Sequence, residues 1–90
     1  MKFLSKVADT FWIPGRGAVI LPEEPQDDFR IRAMTVVQLR TPDGSMLDTH
    51  IAAIEILKTD RGARMGIMLP REIAKEDVPR GSEIWYAPEA

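Results

Sequence analysis

The stretch Asp9-Thr10-Phe11-Trp12-Ile13-Pro14-Gly15-Arg16-Gly17-Ala18-Val19-Ile20-Leu21 decides how the rest of the chain is read. Two glycines bracket Arg16, so the backbone is free to turn tightly between an extended Phe11-Trp12-Ile13 segment and an apolar Ala18–Leu21 strand. Strand, corner, strand is the local reading. Taken alone, Gly-Arg-Gly describes a turn with a solvated arginine as well as it describes a functional corner.

Working outward, Lys2 to Val7 is short and partly alternating, and predicts a first strand over residues 3–7. The second strand spans 17–22. Pro22-Glu23-Glu24-Pro25-Gln26-Asp27-Asp28 then halts the pattern, because prolines remove donors and fix the backbone. Its carboxylates lack the alternating acidic positions and central glycine of a calcium loop, so it reads as a solvated acidic loop rather than a metal site. From Arg30 to Arg40 the residues alternate: Ile31, Ala33, Thr35, Val37 and Leu39 on one phase, Arg30, Arg32, Met34, Val36, Gln38 and Arg40 on the other. A third strand is expected over 30–40, followed by a tight turn at Thr41-Pro42-Asp43-Gly44. The return strand over 46–57 changes phase near Ala52-Ala53, which predicts a bulge or bend of the kind small barrels use at corners. Strands over 63–69 and 83–87 complete the set, with Gly66 placed to admit a close backbone neighbour and at most a short helical turn near 72–77. This pattern is that of an all-β domain, a barrel or a sandwich.

Size and charge bound the function. Ninety residues make one domain, 1–90, able to bury roughly 60–65% of the unfolded chain's surface. With no cysteine, disulfides, thiol nucleophiles and thiolate metal sites are excluded. Twelve basic against fourteen acidic residues leave a net charge of −2, so nucleic acid would be held only through a local patch. Apolar runs fall far short of the roughly 20 residues needed to span a bilayer, and the N-terminus reaches Lys6 and Asp9 before a signal-peptide core forms. The expectation is a cytoplasmic protein with no membrane partner.

Phe3-Leu4, Val7, Asp9-x-Phe11-x-Ile13 and Gly15-Arg16-Gly17-x-Val19 together resemble the opening of the second domain of elongation factor Tu and related translational GTPases. The resemblance continues in Ile54-Glu55-Ile56, similar to the family's Val-Glu-Met stretch, in Gly66-Ile67-Met68-Leu69, similar to its Gly-Val-Leu-Leu strand, and in Glu72 to Gly81, which ends in Arg-Gly before the last strand. It implies a small closed antiparallel β-barrel. It also implies a binding site in which Val19, Glu55 and Met68 stand where the family contacts the terminal adenosine of transfer RNA, and Asp9 and Phe11 beside the aminoacyl group. Arg16 lies on the adjoining corner. The chain departs from the family at Ala8 (usually glutamate), Leu21 (threonine) and Arg64 (asparagine), and in the acidic Pro22–Asp28 loop. Arg64 either pairs with Asp9 or Glu55, or is left to bind.

The phosphate-cradling G-x-x-x-x-G-K-[ST] loop of the GTPase is absent, so no nucleoside triphosphate site is expected. His50, the single histidine, completes neither a catalytic nor a zinc constellation, and no cofactor or enzymatic activity is expected. Arg30, Arg32 and Arg40 on one strand face, and Arg61, Arg64 and Arg71 near a barrel rim, are either scattered solvated charges or a grip for phosphate or an acidic partner. Trp12, Trp85 and Tyr86 are either packing or interface anchors. Two functions follow. One is a translation-associated binding module that touches the transfer RNA end, ribosomal RNA or a protein of the translation machinery. The other is a protein-interaction domain that mimics elongation factor Tu as a regulatory, decoy or immunity-type protein.

Overall fold

The computed structural model describes residues 1–24, 31–60 and 62–88. Pro25–Asp28 of the acidic loop, Arg30 and Arg61 lie outside them. The longest strand, β1 (Lys2–Ile13), organises the fold because it serves two sheets. Its first half pairs antiparallel with β7 (Glu83–Tyr86), and its second half with β2 (Gly17–Pro22). The change of partner is made by two bulges, at Phe3/Ser5 and Val7/Asp9. Each bulge adds a residue and sharpens the twist, which is why the adjacent Leu4 and Ser5 are both buried. Backbone bonds pin the crossover: Val7 N–H donates to Ser82 O (2.7 Å), Gly81 N–H to Val7 O (2.9 Å) and Glu23 N–H to Lys6 O (2.8 Å).

The remaining strands are β3 (Val36–Arg40), β4 (Met46–His50), β5 (Ala53–Thr59) and β6 (Gly62–Met68). Among the described residues the order is β4-β3-β7-β1-β2-β6-β5, antiparallel throughout, with a single 3-10 turn at Lys75–Asp77. Two four-stranded layers that share β1 enclose a core of Leu4, Val7, Ile20, Ile31, Val37, Leu39, Ile51, Ile67, Leu69, Ile73, Val78, Ile84 and Tyr86. No described helix is long and apolar enough to cross a membrane.

The all-β expectation holds, but among the described residues strand pairing does not complete the closed barrel. The order has two ends, β4 and β5, and the two-residue link between them spends its backbone groups elsewhere. Met34 N–H donates to Ile51 O (2.7 Å), Ile51 N–H to Thr35 O (2.9 Å) and Ala52 N–H to Met68 O (2.8 Å). The chain therefore bends at Ile51-Ala52, and β4 and β5 leave the corner in different layers. The phase change near Ala52-Ala53 is this corner, and it divides the expected 46–57 strand in two.

The third strand is shorter than expected. Thr35 N–H donates to Arg32 O and Arg32 N–H to Thr35 Oγ1, both at 3.1 Å, and Met34 takes a left-handed φ of 74°, so a turn precedes Val36. The alternation survives it: Ile31, Thr35, Val37 and Leu39 are buried, whereas Ala33 of the same phase is exposed. The β3–β4 hairpin turns at Thr41–Ser45 through Gly44 N–H to Thr41 O (3.0 Å) and Thr41 N–H to Ser45 O (2.9 Å). Donation from the Thr41 hydroxyl and the Ser45 N–H holds the Asp43 carboxyl below its usual range. At the β1–β2 corner Arg16 N–H donates to Ile13 O (2.9 Å). Gly17 is needed there for its φ of 128° and because a Cβ would lie 3.3 Å from Leu69 O.

Candidate functional site

In an antiparallel ladder, residues directly opposite one another share a face. The register pairs Asp9 with Leu21, Phe11 with Val19, Val19 with Met68, Met68 with Ala53, Glu55 with Gly66 and Leu57 with Arg64. Asp9, Phe11, Val19, Met68, Arg64 and Glu55 therefore stand on one face of the β1-β2-β6-β5 layer. The intervening Thr10, Ile20, Ile67 and Ile54 turn toward the core, so this face is the outer one. Arg16, on the hairpin corner, reaches it by an ion pair with Glu55.

These residues do not contribute alike. Val19 is fully buried and Met68 is 6% exposed, whereas Phe11 is 41% exposed. The reason lies in Gly66. A Cβ there would stand 2.8 Å from Val19 Cγ1 and 2.9 Å from Leu57 Cδ1, so these two side chains close over the glycine and lie flat on the outside of the sheet. Side chains, rather than the expected backbone neighbour, use the space. Val19 and Met68 form a floor, above which Phe11 stands exposed with Asp9 and Glu55 half-buried beside it on the same face.

The Arg64 alternatives are both replaced. Its guanidinium pairs with neither carboxylate: Nη2 donates to the carbonyls of Pro22 (2.7 Å) and Glu23 (3.2 Å). β6 pairs with β2 only at Val19 and Ile20, so beyond that point the β2 carbonyls lack ladder partners and Arg64 supplies the missing donors. The carboxylates have other cations. Glu55 takes Arg16, and Asp9 takes Arg80 (Nη2–Oδ2 3.3 Å, Nε–Oδ1 3.4 Å). Arg80 was not legible as a site residue because the pairing spans the whole chain. Beside Asp9 an open groove of about 310 Å³ is lined by Asp9, Thr10, Lys75, Glu76, Val78, Pro79 and Arg80.

Because Arg64 is half-buried and its Nε has no partner among the described residues, its stem and fork act in structure. Arg64→Ala is expected to cost about 1–2 kcal/mol of unfolding free energy, because, of the two charge-assisted bonds lost, the one to Pro22 O is part-buried and the one to Glu23 O is exposed. Arg64→Lys, with a point charge in place of the fork, should fall between. Arg16→Ala, at an exposed pair, should change stability by no more than about 1 kcal/mol. Denaturant midpoints of the three variants check this.

Neither of the other arginine groupings is complete among the described residues, since Arg30 and Arg61 lie outside them. Arg32 sits in the turn before β3, and Arg40 lies 4.0 Å over the Trp85 ring with Nε donating to Gln38 Oε1 (2.8 Å). Trp85 also meets Phe3 edge-on at 5.4 Å and donates Nε1–H to Glu83. Tyr86 is core, Trp12 is exposed on the β1–β2 hairpin, and His50 ends the edge strand β4. No group of three potential metal ligands occurs among the described residues. No family model matches the chain, and no curated protein or solved structure matches it either.

Proposed function

We propose that this chain is a non-enzymatic binding module of the translation-factor second-domain type, a barrel-like fold that acts through the outer face of the β1-β2-β6-β5 layer on a protein of the translation machinery, in the cytoplasm. The observation that carries the reading is the register: the residues at which the chain resembles the family's contact positions stand on one face, with Phe11 exposed above a floor of Val19, Gly66 and Met68.

The choice of a protein over RNA rests on electrostatics. Gripping phosphate needs uncommitted cations. Around this face Arg16 and Arg80 are paired with carboxylates and Arg64 caps carbonyls, which leaves Lys75 in the groove beside Asp9 as a single cation, and the chain carries −2 overall. An exposed phenylalanine on the same face as half-buried Ile13, Leu21 and Leu57 suits apolar docking instead. This favours a domain that presents an elongation factor Tu-like surface to that factor's partners.

The test is capture from native cytoplasm with wild type and Phe11→Ala, then rebinding to the purified partner. A translation protein retained after ribonuclease treatment, with affinity reduced about tenfold or more by Phe11→Ala, is the expected result. Loss of capture on ribonuclease treatment would return the module to RNA. Binding indifferent to Phe11 would remove the site from this face.

A further inference from the structure

The β5–β6 hairpin runs on past the layer that supports it. Seven residue pairs join β5 to β6, from Ala53↔Met68 to Thr59↔Gly62, but only Val19 and Ile20 of β2 pair on the other side of β6. The overhang leaves Ile56 at 69% exposure in the middle of β5, although it belongs to the core phase with Ile54. Among the described residues no strand pairs with the outer edge of β5. The strand is lightly defended as an edge: it has no proline and no bulge in its register with β6, and its charges are Glu55 and a single lysine, Lys58, on the core phase. An apolar residue this exposed on an open edge asks for a cover.

The geometry points to a second copy of this chain as that cover, paired antiparallel through β5 about a two-fold axis at Ile56. A two-fold axis normal to the sheet must fall on a residue rather than between residues, or the core phase of one copy would meet the outer phase of the other. Three centres are available near the middle of the strand. Centring on Glu55 sets Glu55 against Glu55, and like charges directly opposite are destabilising. Centring on Leu57 sets Ile56 against Lys58 and leaves Ala53 and Ile54 beyond the ladder. Centring on Ile56 pairs the whole strand with itself: Ala53 with Thr59, Ile54 with Lys58, Glu55 with Leu57, Ile56 with Ile56. No like charges then stand opposite one another. On the other open edge, β4, the register that pairs the whole strand with itself centres on Asp48 and opposes two aspartates, and the centres that avoid this leave part of the five-residue strand beyond the ladder. In the Ile56 register the outer faces of the two copies run on continuously, and Leu57 of the second copy stands opposite Glu55.

The chain has no cysteine, which makes a crosslinking test clean. Cα atoms of directly opposed residues lie about 4.5–5.5 Å apart, inside the range a disulfide spans. Ile56→Cys should therefore oxidise to a covalent dimer at dilute concentration. Met34→Cys, whose parent residue is equally exposed at 69% but lies in the turn before β3, should not. In sedimentation equilibrium the wild type should self-associate with rising concentration, and Ile56→Lys, which opposes two ammonium groups, should weaken that association about tenfold or more. Ile56 is exposed, so these variants should retain the fold. A wild type that stays monomeric at millimolar concentration, an Ile56→Lys variant that associates as well as wild type, or Met34→Cys crosslinking as fast as Ile56→Cys would each overturn the proposal.

Discussion

Replacing Ile20 by alanine is expected to remove about 2–5 kcal/mol of unfolding free energy, the range for truncating a buried isoleucine to alanine in a packed core. Ile20 has no exposed surface. It stands opposite Thr10 on β1 and Ile67 on β6, so its side chain is held where β1, β2 and β6 of the β1-β2-β6-β5 layer meet the core. Those strands are backbone-bonded on both sides of it and cannot collapse into the space that a lost side chain leaves. A small domain has about 5–15 kcal/mol in all, and a melting temperature near this size moves about 4–8 °C per kcal/mol. Ile20→Ala should therefore melt well below the wild type or fail to fold at physiological temperature. The comparison is Ile56→Ala in dilute solution, expected to stay within about 0.5 kcal/mol because the side chain is mostly in water. The two isoleucines belong to the same phase of the same layer, so equal losses would mean that the register given for β5 and β6 is wrong.

Gly66→Val is the second large effect expected. Its Cβ would fall 2.8 Å from Val19 Cγ1 and 2.9 Å from Leu57 Cδ1, closer than carbon atoms approach without displacement. Leu57 is half-exposed and can swing away, whereas Val19 is fully buried and branched at Cβ, so its one χ1 well is not easily exchanged. Overpacking of this kind costs about 1–3 kcal/mol, even though valine is the better strand residue. Adding Leu57→Ala to Gly66→Val should recover part of the loss, because the added methyls then have somewhere to go. That non-additivity, read from denaturant midpoints at constant slope, separates a local clash from a general weakening of β6. The pair of variants also bears on function. If Val19 is floor and Phe11 is contact, displacing Leu57 should disturb partner binding less than Phe11→Ala does.

What the sequence by itself determined was the all-β class and the phase of most strands, but not the strand set: β1 runs over Lys2–Ile13 rather than 3–7, β3 begins only at Val36, and 46–57 is two strands. Period-two alternation at Val37–Leu39 and Met65–Leu69, glycine at the Ile13–Gly17 corner and Pro-Asp-Gly at Thr41–Ser45 are local signals, set by backbone torsion and by which side chains avoid water. They were sufficient for an all-β fold, and the break of phase at Ala52-Ala53 located the corner between β4 and β5. That Asp9, Phe11, Val19, Glu55, Arg64 and Met68 gather on one side was an expectation from resemblance at the level of short motifs; the strand register sets them on one face, and their role in binding belongs to the proposal. Only the tertiary structure decided how β1 divides itself between two layers, since a bulge reveals itself by the partner it faces and not by its own residues. The same holds for the ends of the sheet, because the Ile51-Ala52 link hydrogen-bonds to Met34, Thr35 and Met68, far away in the chain or across the fold. The partners of the charges were equally out of reach. Arg64 turned to Pro22 and Glu23 because β6 departs from β2 after Ile20, and Asp9 found Arg80 across 71 positions. An ion pair is chosen by distance in space, and distance in space is what the order of residues does not contain.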